Sequence, residues 1–149
     1  MKRAAAAIVA LAPVAAAAPT LHPGLWRVAS TPQTATLDGR KLDDLPYTPA
    51  APEAVCLSPA QAADPATWFV RDTPAGCTFS RRSVQHGAVD IVGTCPSASP
   101  GYPAGSVRFN GRWSANRYTI RFATTDIGEN GQMGFAGTAT GGRIGECPG

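Results

Sequence analysis

The segment from Ser106 to Thr124 constrains the fold more than any other part of the chain. Val107, Phe109, Gly111 and Trp113 alternate with Ser106, Arg108, Asn110 and Arg112. Tyr118, Ile120, Phe122 and Thr124 alternate with Arg117, Thr119, Arg121 and Ala123. A period of two belongs to a half-buried strand, not to a helix. A two-residue loop at Ala115-Asn116 sets Trp113 opposite Tyr118 and Phe109 opposite Phe122, with every apolar member on one face. An odd-length loop would mix the faces. Such a hairpin needs cover for one apolar sheet face, and no long amphipathic helix is present to supply it, so the sheet must curl or close on itself.

The flanking sequence repeats the pattern. Asn130-Gly131 is a strong turn signal. A hairpin closed there continues the inner face through Met133, Phe135, Gly137, Ala139 and Gly141, and sets Tyr118 opposite Arg143. Upstream, Gln85-His86-Gly87 suits a three-residue loop with glycine last. That loop sets Arg82 opposite Asp90, Phe79 opposite Gly93 and Cys77 opposite Cys95, and points Arg81 inward. Cys77 and Cys95 then fall on a non-hydrogen-bonded pair, where side chains are closest. Near the N-terminus, Gly24 to Ser30 forms a strand, and Asp38-Gly39 turns Thr34–Leu37 back into Arg40–Leu42. Asp43 to Glu53, rich in Pro and Ala, is a loop, and Val55-Cys56-Leu57 is a short extended piece. Ser58-Pro59-Ala60-Gln61 carries a capping box with Pro at the first helical position, and Asp64-Pro65 repeats the device. One short helical segment is therefore expected near residues 59–69. The fold class is all-β: an antiparallel meander of about seven to nine strands, curling into a barrel or half-barrel.

The cysteines say where such a domain works. Lys2-Arg3, the apolar run Ala4 to Ala17 and the small residues Ala15-Ala16-Ala17 form a secretory signal peptide, expected over residues 1–17. A single domain over 18–149 follows. Without Lys2 and Arg3, 11 Lys+Arg stand against 10 Asp+Glu, a net charge of +1. Nucleic-acid binding has no compositional support. All four Cys lie in the mature part, and an even count in an exported chain implies two disulfides. With Cys77–Cys95 set by the hairpin, Cys56–Cys147 remains. No C-x-x-C or Cys/His cluster marks a metal site, and no cofactor is expected.

Catalytic chemistry finds no constellation. His22 and His86 stand apart, no G-x-S-x-G is present, and Asp43-Asp44 are adjacent and would not face each other in an extended chain. The expectation is a non-catalytic domain. Two sets of side chains are candidates for binding. The inner face brings Trp113, Tyr118 and Arg143 together, where an Arg can stack on aromatics, and Arg81, pointing inward near a strand end, is a separate candidate for binding an anion. The outer face of one hairpin carries Arg108, Arg112, Arg117 and Arg121, a stripe that suits acidic polysaccharide, lipid phosphate or a partner protein.

Several motifs, taken in order, are Pro23-Gly24-Leu25-Trp26, Cys56-Leu57-Ser58-Pro59, Ala62-Ala63-Asp64-Pro65, Gly76-Cys77, Cys95 and Gly141-Gly142-Arg143-Ile144-Gly145-Glu146-Cys147. Together they resemble a bacterial exported family known as domain of unknown function 3617. The resemblance spans nearly the whole mature chain and implies export and the four-Cys pattern. It implies no activity, so no catalytic residue is carried over. The chain departs from the family in the loop from Thr31 to Ala51, Met-rich in similar proteins and without Met here. Gly24-Leu25-Trp26 also resembles the Gly-x-Trp start of lipocalin-type barrels, where a late Arg stacks on that Trp. The analogy places Trp26 and Arg143 together. The functional expectation is an exported domain, periplasmic or secreted, that binds a small apolar or amphipathic ligand inside the curved sheet. The alternative is a protein-interaction or inhibitor module of the cell envelope. No integral membrane segment is expected in the mature chain.

Overall fold

A computed structural model of the chain describes residues 20–44 and 50–149. The expected signal peptide over 1–17 lies outside the described residues. The strands are β1 Gly24–Leu37, β2 Arg40–Lys41, β3 Glu53–Leu57, β4 Thr78–Gln85, β5 Ala88–Cys95, β6 Gly105–Ser114, β7 Arg117–Gly128 and β8 Gly131–Gly145. Two short helices, α1 Pro59–Ala63 and α2 Pro65–Phe69, lie between β3 and β4. All described pairings are antiparallel, in the order β2-β1-β8-β7-β6-β5-β4, with β3 also on β1. β4 to β8 form a continuous meander, and the first long strand lies beside the last. The sheet does not close: it is a curved half-barrel whose edges are β4 and the β2/β3 side.

The central hairpin has the expected register, with Trp113 opposite Tyr118 and Phe109 opposite Phe122. Asp38-Gly39 also turns as expected, pairing Leu37 with Arg40. The first strand is longer than the sequence suggests. It runs unbroken from Gly24 to Leu37 along β8, absorbing a bulge between Pro32 and Thr34.

Two registers are corrected. The β4–β5 turn uses two residues, His86 at φ 52° and Gly87 at φ 73°. Two positive φ angles make the tight turn whose twist matches the strands, so no third loop residue is needed. Gln85 then pairs with Ala88, and every contact near the tip moves by one residue. A one-residue shift exchanges the faces. Arg82 faces Ile91 rather than Asp90, and Arg81 lies on the outer face, its Nη1 2.8 Å from Asp90 Oδ2. A bulge at Ser80 restores the expected pairing below it, Phe79 opposite Gly93. The β7–β8 turn is Glu129-Asn130, one residue earlier than expected, so Gly128 pairs with Gly131. Partners move by two and the faces survive, but Tyr118 meets Gly141, not Arg143.

The core sits where the helices cover the concave face. Leu21, Trp26, Leu57 and Ile91 are fully buried, and Trp68, Phe69 and Val70 pack onto them from α2 and its end. Both helices start as the sequence predicts. Ser58 Oγ accepts from Gln61 N–H while Gln61 Oε1 accepts from Ser58 N–H, and Asp64 accepts from Thr67 N–H. Arg82, now on the inner side, donates to Thr67 Oγ1 and lies 3.8 Å from Asp64, fastening α2 to β4. The two disulfides are Cys56–Cys147 and Cys77–Cys95, with Cα–Cα distances of 5.5 and 4.0 Å.

Candidate functional site

Cross-strand pairing and α2 together build an aromatic cluster on the concave face. Trp113 and Tyr118 are neighbours across β6 and β7. Tyr118 stacks on Trp26 with centroids 5.9 Å apart, and Phe69 meets Tyr118 edge-on at 5.3 Å and Trp113 at 6.3 Å. The polar ends are satisfied inside the fold: Trp26 Nε1 donates to His22 O at 3.0 Å and Trp113 Nε1 to Ala88 O at 3.3 Å. Burial pushes the Tyr118 hydroxyl above the usual phenol range, against the opposing pull of nearby Arg71. Arg71 in turn lies 3.9 Å over the Trp68 ring. The rings of Trp26, Phe69, Trp113 and Tyr118 fill the end of the half-barrel beneath the helices.

Arg143 stands at the margin of this cluster. It is directly across from Trp26 in the β1–β8 register. Its guanidinium is already engaged: Nε donates to Pro23 O at 2.8 Å and an Nη donates to Glu146. Arg81 is remote from the cluster, on the opposite side of the sheet. Of the side chains singled out from sequence, the structure thus gathers Trp26, Trp113 and Tyr118, sets Arg143 beside them and separates Arg81.

The outer face has a different character. Arg108 and Arg112 on β6 and Arg117 and Arg121 on β7 are all exposed. In register they form a zigzag: Arg112 is level with Thr119, and Arg121 with Asn110. Arg27 joins them, because Arg27 and Arg117 are both paired with Gly142, from opposite sides. The sequence could not show this fifth member, since Arg27 is 90 residues from Arg117 and only the β1–β8 pairing brings it over. Among the described residues none of these five arginines has a carboxylate partner; the four ion pairs involve Arg71, Arg81, Arg82 and Arg143. A shallow depression of about 440 Å³ opens between Arg27 and Arg117, lined also by Thr119, Thr140, Gly142 and Ile144. A second, of about 220 Å³, adjoins it at Arg112, Ser114 and Arg117.

Among the described residues no cluster of His, Cys, Asp and Glu could hold a metal. His22 Nδ1 is 2.9 Å from Asn116 Oδ1, a contact that ties the N-terminal segment to the β6–β7 turn. Among the described residues no helix is long and apolar enough to cross a membrane. A family model described as "Protein of unknown function (DUF3617)" matches residues 21–147. No curated protein and no solved structure matches the chain.

Proposed function

Because the chain belongs to the DUF3617 family, whose description assigns no activity, we propose a function from the surface alone: a non-catalytic, exported binding domain that docks an acidic partner in the cell envelope through its arginine face. One observation carries this reading. Five exposed arginines share one face of the sheet, and none has a carboxylate partner among the described residues. Like charges gathered without counter-charges repel one another, so such a face is best accounted for by a partner that supplies the missing sign. Export is supported by the two disulfides, which fit an oxidising compartment, and by the signal-like N-terminus.

The test is sedimentation of purified protein with an isolated cell-envelope fraction. Retention at low ionic strength, lost in high salt and in an Arg108→Ser/Arg112→Ser/Arg121→Ser variant, supports the reading. Equal retention of both proteins sinks it.

A second reading places an amphipathic ligand in the concave face. It is favoured by Phe109, Phe122, Phe135 and Met133, inner-face residues that are only half-buried. Native mass spectrometry of the protein purified from the periplasm should then show a carried mass.

A further inference from the structure

We infer that the depression between Arg27 and Arg117 seats the phosphate headgroup of an anionic lipid, so that the acidic partner is a membrane surface. This rests on the reading of the arginine face given above. The floor of the depression is Gly142, paired with Arg27 on one side and Arg117 on the other. The two arginine backbones are therefore two strand spacings apart, about 9.5 Å. A Cβ built on Gly142 meets nothing within 4 Å. The bare position leaves a gap open to solvent between two cations. The hydroxyl-bearing residues Thr119 and Thr140 line the same gap. Two guanidinium groups with hydroxyl donors in the adjacent row of the sheet match a phosphate, which offers several acceptor oxygens to nearby donors.

Two features point to lipid. Ile144, 49% exposed, is one of only two large hydrophobic side chains so exposed among the described residues, and it lines this depression. An apolar side chain beside unpaired cations suits an interface where headgroups meet acyl chains. The outer faces of β6 and β7 also carry Arg, Thr, Ser and Asn, with Ala123 and Ile127, but no aromatic ring. That removes the stacking platform a single-stranded nucleic acid would use, whereas a headgroup layer requires none. Arg112, Arg121 and Arg108 continue the charge away from the depression, along the β6–β7 hairpin, for neighbouring headgroups.

The experiment is co-sedimentation of the full mature chain with phosphatidylglycerol/phosphatidylcholine vesicles and with phosphatidylcholine alone. The wild type should bind only the anionic vesicles. Each arginine near an anionic surface contributes about fivefold in affinity, so Arg27→Gln/Arg117→Gln should lose about 25-fold. Gly142→Gln keeps every charge and fills the gap with a polar side chain, and it too should weaken binding by at least about fivefold. Both changes are at exposed or open positions, and unaltered near-ultraviolet circular dichroism would establish that the variants fold. Loss with the arginine variant but full binding by Gly142→Gln would mean diffuse attraction and overturn the seated headgroup. Equal competition by millimolar glycerol phosphate would assign the site to a free phosphate and overturn the lipid. Binding to envelope but not to vesicles would overturn the lipid and leave the acidic-partner reading standing. Binding to neither would overturn both.

Discussion

At the scale of single residues, two adjacent glycines have opposite jobs. Gly141 lies under the Tyr118 ring, and a Cβ there would overlap the ring carbons. Tyr118 cannot retreat, because Trp26 and Phe69 hold it from two other sides. Gly142, one residue on, faces the opposite side of the sheet and meets nothing. Strand alternation alone separates them: one residue faces a packed interior, the next faces solvent. Gly141→Ala should therefore destabilise by about 1–3 kcal/mol, the usual cost of overpacking. Gly142→Ala should change stability by no more than about 0.5 kcal/mol, as an uncrowded surface position does. Urea denaturation of the two variants beside the wild type checks both values. Equal effects would mean that Tyr118 does not pack on the sheet as described. The sequence showed Gly141 as an inner-face residue opposite a bulky neighbour, but the identity of that neighbour depended on a turn placed one residue off.

At the scale of elements, that kind of error has a simple cause. Alternation fixes which residues share a face, and the strands from Ser106 to Gly141 were legible on that basis. Turn residues fix the register, and Gln85-His86-Gly87 admitted two solutions because His86 can adopt a positive φ without being glycine. One residue of difference sent Arg81 outward and Arg82 inward. The bulge at Ser80 then returned Cys77 and Cys95 to their expected pairing, so the disulfide was legible although the loop was not. The α1–α2 segment was legible from its caps, but its role was not. Sequence places no helix over a sheet, and only the fold shows Phe69 closing the cluster. Phe69→Ala should cost about 3–5 kcal/mol. It should also let water reach Tyr118, whose hydroxyl burial holds above the usual phenol range. With a raised folded value, the folded state keeps its proton longer than the unfolded state. Wild-type stability is then complete below about pH 10 and falls as pH rises from there through the folded value. In the Phe69→Ala variant the phenolate absorbance should appear at lower pH than in the wild type, and the alkaline loss of stability should shrink. An unchanged titration would remove α2 as the source of the burial.

At the scale of the whole molecule, the half-barrel has a weakness that the two disulfides address unequally. An open sheet with its first and last long strands side by side depends on β1 finding β8 across the 93 residues that separate Leu37 from Gly131. Cys56–Cys147 guards that junction. Cys56 lies on β3, which pairs with β1, and Cys147 follows the end of β8, so the bond ties both sides of β1 together. Cys77–Cys95 only rivets the base of the β4–β5 hairpin, whose strands the turn already holds in register. The sequence separations are 91 and 18 residues. If a crosslink acts by restricting the unfolded chain, the longer loop contributes about 1.4 kcal/mol more. Native packing adds to the same side, because without the long-range bond the C-terminal end of β8 can fray from β1 and expose Trp26. Cys56→Ala/Cys147→Ala should therefore lower the urea midpoint more than Cys77→Ala/Cys95→Ala. It should also raise hydrogen exchange along Gly24–Val28, whereas the hairpin variant should leave that strand protected. An equal or reversed order of stability would show that β1 and β8 hold together by strand pairing and core packing alone.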